Sequence, residues 1–423
     1  MNHDTPIALA DDEKQLLLLL AERHTARATA MLEKHPDLLR RNIMVAAAVG
    51  DADEVRAMLD AGADPNAYLL HGDDPHARIP VLYFACNLNH VEVARVLLES
   101  GAHPNDGESV YHAAEHNHRA CLELLLAHGA DVSKPHSVHG NTPLYFLTGY
   151  PSNHPHFATV LAGAQWLLEH GADPNIPSNV GRQRDGSEGD GEMPLHRAAS
   201  HKDYTVMARL LVEHGASVDA PRADGRTAYA LAIREGRTDM AEYLASAGAD
   251  TNRLSPVDRL LGACTVADEK TARALVAEHP DLVSSLSSAD RNAIVGVVAD
   301  GRMASAELMF ALGWSLTEES IWGGTPLHWA AWHGRDAMVR MLLAKGAPVN
   351  VRDSTYGSSP IAWACHGSMN SRPGHDDDYL AVVDQLLDAG STRAESFNSW
   401  QQTPESLASP AVAERLRERG FTT

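Results

Sequence analysis

Between Gly324 and Asn350 the chain reads GTPLHWAAWHGRDAMVRMLLAKGAPVN, with apolar residues at helical spacing in two short runs split by Gly334. Thr325 and Pro326 predict a helix cap and a first-turn proline, and Gly346 a helix C-terminal glycine. Ala330 and Ala331 are small enough to let helices approach, and Gly334 falls in the turn between the paired helices. The second run, Met338 to Leu343, supplies an apolar face that must stack on another unit. The closing tail recurs as GADPN (Gly62 to Asn66), GAHPN (Gly101 to Asn105), GADVS from Gly129, GADPN from Gly171, GASVD from Gly215 and GADTN from Gly248. It returns at Gly346 and, degraded, at Gly390. The spacings cluster near roughly 33 residues or exceed that by an insertion, the mark of a repeat architecture.

TPLH, two alanines, a glycine and a Leu-rich helix ending in GA resemble the consensus of the ankyrin repeat family. The resemblance covers nearly the whole chain, most strongly from Ile79 to Asn252 and from Gly324 to Gly390. It implies an all-α, ankyrin-repeat solenoid of roughly ten to twelve stacked helix pairs with almost no β-sheet, its terminal units imperfect because they act as caps. HPDL (His35 to Leu38) followed by RNIMVAAAVGD is echoed by HPDL (His279 to Leu282) followed by RNAIVGVVADG. This predicts an N-terminal tail (1–11), a first array (12–252) and a second array with a C-terminal cap (253–423). Four insertions interrupt the rhythm. His71 to Arg78 and Ile176 to Gly191 lengthen fingers between repeats, while Gly149 to His156 and Gly367 to Tyr379 are expected to be extended turns between paired helices.

Length would ordinarily imply two or three globular domains for 423 residues, but a solenoid adds units and not core radius. The formal charge of -21 opposes a phosphate backbone and an anionic bilayer surface, so neither nucleic acid nor membrane is expected as a partner. No apolar run approaches a bilayer span, and Leu16 to Leu20 lacks the flanks of a signal peptide, which predicts a soluble chain. The four cysteines form no CxxC pair, which points to a reducing cytoplasm.

The resemblance also implies that the first helix of each pair lines a concave face. It places Phe84, His112, Phe146, Arg197, Leu231, Trp329 and Trp363 on one rung. Asn87, Glu115, His116, Ser200, His201, Arg234, Glu235, Trp332, His333 and His366 fall on a second, with Tyr111 beside them. Three of seven tryptophans, Trp329, Trp332 and Trp363, thus gather on two adjacent repeats. Large rings in a groove are typical binding anchors, so Phe84, Tyr111, His112, Glu115, Phe146, Arg197, Trp329, Trp332, His333, Trp363 and His366 are the expected binding residues. If Trp329 and Trp363 are groove residues, as their rung places them, replacing either with Ala should leave stability little changed, whereas as core residues each would cost about 3–5 kcal/mol.

Two readings of function follow. One is a recognition scaffold, without catalysis, that binds a protein segment in the aromatic and His-lined groove. The other is a small-molecule-binding or hydrolase- or lyase-like protein with a pocket around Trp329, Trp332, Trp363 and His366. Any catalytic set would draw on His366, His333 and Ser368. HGS (His366 to Ser368), however, reads better as a helix stop with a capping serine than as a base beside a nucleophile. The pairs His71/His76, His136/His139 and His154/His156 lie on different loops and do not imply a metal site, whereas His90, His196 and His328 occupy consensus positions where the resemblance implies that the imidazole hydrogen-bonds locally. No phosphate loop or hydrolase motif appears, so no cofactor is expected.

Overall fold

A computed structural model describes residues 6–70, 78–136, 140–178, 191–320, 322–372, 374–392, 398–400 and 402–421. Twelve helix pairs succeed one another among them, from Asp11–Ala21 with Thr25–Lys34 to Pro404–Leu407 with Pro410–Glu418. The all-α repeat architecture read from the sequence is therefore the one the chain adopts. The only sheet among the described residues is a two-stranded antiparallel ribbon, Tyr68–Leu70 with Arg78–Pro80, at the first predicted finger. The intervening His71 and His76 lie outside the described residues, as do His139 and most of the Ile176 to Gly191 insertion.

The helices group into two compact units, Met1–Ala232 with Arg237–Thr251, and Ile233–Gly236 with Asn252–Thr423. Within each, the recurring tail explains how neighbouring repeats hold register. Asn66 donates to the Gly101 carbonyl at 3.1 Å and accepts from the His103 amide at 2.8 Å. Asn105 bridges Gly129 and Asp131 in the same way, and Asn175 bridges Gly215 and Ser217. In the second unit Asn350 donates to the Gly390 carbonyl and accepts from the Thr392 amide, at 2.9 and 3.0 Å. A single amide side chain thus satisfies one backbone acceptor and one donor at the next helix end, where the chain has left its own helical partners behind. Gly390 has φ +94°, the left-handed conformation that closes a helix and that glycine adopts without a Cβ penalty.

The TPLH histidine acts across repeats, not only locally. His328 Nδ1 accepts from the Thr325 amide at 3.1 Å, which leaves the proton on Nε2 to donate to the Ser358 carbonyl at 3.0 Å. Burial lowers its pKa to about 4, so the ring stays neutral in this role. His196 repeats the arrangement between Met193 and Ala220, and His90 contacts the Ala48 carbonyl.

The Gly149 to His156 insertion lies between the helices Pro143–Leu147 and Phe157–Glu169, as expected. The stretch from Gly367 to Tyr379 does not form an extended turn. The helix Pro360–Asn370 runs straight through HGS for an extra turn, and its partner begins at Asp376, so Asp376, Asp377 and Asp378 form the first turn of Asp376–Asp388. Gly367 is no helix stop. A Cβ at this position would overlap the Trp332 carbonyl oxygen, so the glycine lets two first helices touch. No helix among the described residues is long and apolar enough to cross a membrane.

Candidate functional site

In the second unit, the first helices Pro326–Trp332, Pro360–Asn370 and Pro404–Leu407 each begin with a proline, preceded by a finger. Three residues after the proline stand Trp329, Trp363 and Leu407; four residues before it stand Trp322, Tyr356 and Trp400. Equivalent positions of stacked repeats lie side by side, so helix and finger rings converge. Five of the seven tryptophans, with Tyr356, His366, Leu407 and the neutral Ser358, Ala362, Asn398 and Gln402, line one cavity of about 370 Å³.

Trp363 is the centre of the cluster. Its ring lies 5.3 Å from Trp329 at 68°, 5.9 Å from Trp332 at 73° and 6.2 Å from Tyr356 at 61°, the edge-to-face geometry that aromatic quadrupoles favour. It is only 7% exposed, and its Nε1–H donates to Asp353 Oδ2. Trp363 is therefore a buried floor and not an exposed groove residue, which corrects the expectation that its loss would be cheap. Trp329 and Trp332 are half-buried walls, and the Trp329 Nε1–H donates to Ser320 Oγ at 3.1 Å. Gly324 makes room for both rings: a Cβ there would stand 2.6 Å from Trp363 and 3.0 Å from Trp329. Trp322 and Trp400 remain 56% and 65% exposed at the rim. Clustered indoles in water mark a surface that gains from being covered.

The proposed catalytic trio is not brought together. Ser368 is buried, donating to the Cys365 carbonyl at 2.6 Å and accepting from the Ser409 amide at 2.9 Å, while His366 is exposed and packs edge-on against Trp332 at 5.1 Å. His333 pairs instead with the Ser371 hydroxyl at 2.9 Å and lies near-parallel to Trp329 at 6.0 Å. Partial desolvation lowers the pKa of both histidines below the usual imidazole value. Arg372 is tied to Asp378 and the His333 carbonyl. Among the described residues no three potential ligands group to hold a metal ion.

Sequence reasoning missed Trp322, Tyr356, Trp400 and Asp353. The signal was present as an aromatic four residues before the prolines of these three repeats, but it becomes legible only once the fingers are known to stack beside the helices.

The first unit brings Tyr111, His112, Glu115 and Phe146 into a separate cluster. His112 contacts Glu115 at 2.7 Å and Glu108 at 3.3 Å. Burial disfavours the imidazolium, but the two carboxylates outweigh it and raise the pKa to about 9. Burial likewise opposes ionisation of the glutamates, yet hydrogen bonds lower both to about 2: Glu108 from His112 and His136, Glu115 from His112 and Tyr150. Phe146 lies 5.6 Å from His112 and 5.8 Å from Tyr111. Tyr111 is buried and its hydroxyl donates to the Asn141 carbonyl at 2.5 Å, a finger contact. Phe84 is buried beside Tyr83, which stands edge-on to His112 at 4.9 Å, so Phe84 reaches this cluster through Tyr83, while Arg197 lies over Tyr145 at 4.8 Å.

The family model for ankyrin repeats in three copies matches residues 43–136 and 156–255, and the single ankyrin-repeat model matches 322–354; together they span more than half of the chain. Rabankyrin-5 of Mus musculus is 30% identical over 198 residues, 44% of this chain and 16% of that protein. Human ankyrin repeat and SOCS box protein 6 is 33% identical over 156 residues, 34% of this chain and 33% of that protein. The chain thus spans a third or less of the length of these relatives. The crystal structure of the human ASB11 ankyrin repeat domain aligns with 66% of this chain and 98% of its own, at 21% identity and a TM-score of 0.30.

Proposed function

Because the chain belongs to the ankyrin repeat family, whose repeats generally mediate protein–protein interaction, we propose that the second unit is a recognition module whose aromatic cavity takes a side chain of a bound protein segment. The observation that carries this reading is the convergence of five indoles and Tyr356 on one cavity of about 370 Å³ with two of the indoles largely in water. Covering an exposed indole contributes on the order of a few kcal/mol, and such rings dominate binding hot spots. The half-buried Trp329 and Trp332 offer fixed walls, so little ordering entropy is lost on binding.

A second reading has an observation of its own. The cavity volume falls within the ~300–1,000 Å³ typical of small-molecule sites, so a free small molecule could occupy the same space. Catalysis finds no such support, since Ser368 is turned away from His366.

The test is selection of a displayed random-peptide library on the full chain, with Trp400→Ala as control. The reading expects enriched peptides that quench tryptophan emission and bind the variant at least about tenfold more weakly. If no peptide is enriched, or if the selected peptides bind both proteins equally, the reading fails.

A further inference from the structure

The chemistry of the cavity says more about its occupant than that it is a side chain. Resting on the reading above, we propose that the cavity is a cation box that takes a methylated ammonium group, presented on a lysine side chain of the bound segment.

Five indoles and a phenol line the cavity, and the π face of such a ring attracts a cation held within about 6 Å of its centroid. Around Trp363 the rings pack edge to face, with centroids 5.3 to 6.2 Å apart and planes at 61° to 73°, so a compact group in the cavity beside them meets more than one ring. No Lys or Arg is among the described lining residues, and the lining histidine, His366, has its pKa lowered, which disfavours its charged form. Arg352, on the finger that carries Tyr356, is engaged with the Gly357 carbonyl at 2.6 Å and does not line the cavity. Behind the floor, the Asp353 carboxylate accepts the Trp363 Nε1–H at 3.0 Å. That contact draws the indole proton toward a negative charge and leaves the ring more electron-rich, strengthening its hold on a cation.

The hydrogen-bond inventory selects among cations. Asn398 Oδ1 already accepts from the Trp400 and Gln402 amides, Gln402 Oε1 accepts from Asn398 Nδ2, and the Ser358 carbonyl accepts from His328. Gln402 Oε1 and the Ser358 carbonyl each keep one lone pair, so a primary ammonium with three N–H donors or a guanidinium with five is matched by them only in part after losing water. Methylation removes those donors, spreads the charge over an apolar surface and keeps the cation–π attraction. The chain's formal charge of -21 further favours a basic segment in its neighbourhood.

The probes are Nα-acetyl-trimethyl-lysine amide, its uncharged isostere with carbon in place of the ammonium nitrogen, unmethylated Nα-acetyl-lysine amide and free tetramethylammonium. Each is titrated into the full chain, with binding read by calorimetry and tryptophan emission. The trimethyl-lysine probe is expected to bind roughly tenfold or more tightly than the isostere and than unmethylated lysine, as a cation–π gain of that size implies. Its affinity should fall at least about tenfold in Trp400→Ala and in Trp332→Phe, while circular dichroism shows both variants folded. An isostere that binds as well as the cation overturns the cation box and leaves the side-chain pocket standing. Tetramethylammonium that binds well while trimethyl-lysine does not overturns the side-chain source. Failure of every probe overturns the inference outright, and the peptide selection then decides the recognition reading separately.

Discussion

The indole nitrogen of Trp363 donates a 3.0 Å hydrogen bond to the Asp353 carboxylate, joining the floor of the aromatic cavity to the finger that carries Tyr356. Asp353 is itself buried and also accepts from the backbone amides of Thr355, Tyr356 and Ser358. Trp363→Phe keeps a ring but deletes one of four donors to a buried carboxylate, and should cost about 1–3 kcal/mol. Trp363→Ala also leaves a cavity and should cost about 3–5 kcal/mol. The melting temperature should therefore fall in the order wild type, Phe, Ala; equal melting of all three would show that the floor is not structural.

The rim behaves differently. Trp322 and Trp400 are mostly exposed, so Trp322→Ala and Trp400→Ala should each change stability by no more than about 0.5 kcal/mol. Loss of melting temperature comparable to that of Trp363→Ala would instead make the rim rings part of the core.

The first unit should respond to pH through the His112 cluster. The pKa of His112 is raised from 6.5 to about 9, so its contribution is complete below 6.5 and lost as pH rises through 9. Glu108 and Glu115 are lowered from 4.5 to about 2, so theirs is complete above 4.5 and lost as pH falls toward 2. Stability from this cluster is therefore greatest between pH 4.5 and 6.5 and declines toward pH 9. In melting scans from pH 5 to 10, His112→Gln should flatten the alkaline decline. Parallel curves for variant and wild type would remove the cluster as its cause.

Asn350→Ala should sever both bonds to the following tail, costing about 1–3 kcal/mol and speeding hydrogen exchange at the Thr392 amide, which loses its side-chain acceptor. Unchanged exchange at Thr392 would mean that the asparagine is not what holds register.

Gly367→Ala places a methyl against the Trp332 carbonyl, where the Trp332 and His366 rings also meet. Forcing the two helices apart should cost about 1–3 kcal/mol and weaken binding at the cavity together with stability. A variant that melts like wild type would show that the helix contact has slack.

Much of this protein was legible in its residue pattern. The TP start, the paired alanines and the closing Gly-Ala tail each act through local chemistry: a cap, a close helix approach, a left-handed turn. A stack in which units touch only their neighbours repeats that chemistry at a fixed period, so fold class and the gathering of Trp329, Trp332 and Trp363 could be read without coordinates. What the residue pattern could not decide is where each ring faces and what closes the cavity around it. Trp363 was expected in the open groove and is floored against Asp353, because a finger residue ten positions upstream turns back to accept its N–H. HGS was expected to stop a helix and instead continues one, because Gly367 rests on the Trp332 backbone. Trp322, Tyr356 and Trp400 belong to three different fingers, and only stacking sets them against the helix rings. The repeat is written in interactions a few residues apart, whereas the cavity is made of contacts between repeats, and those depend on packing that no single repeat contains.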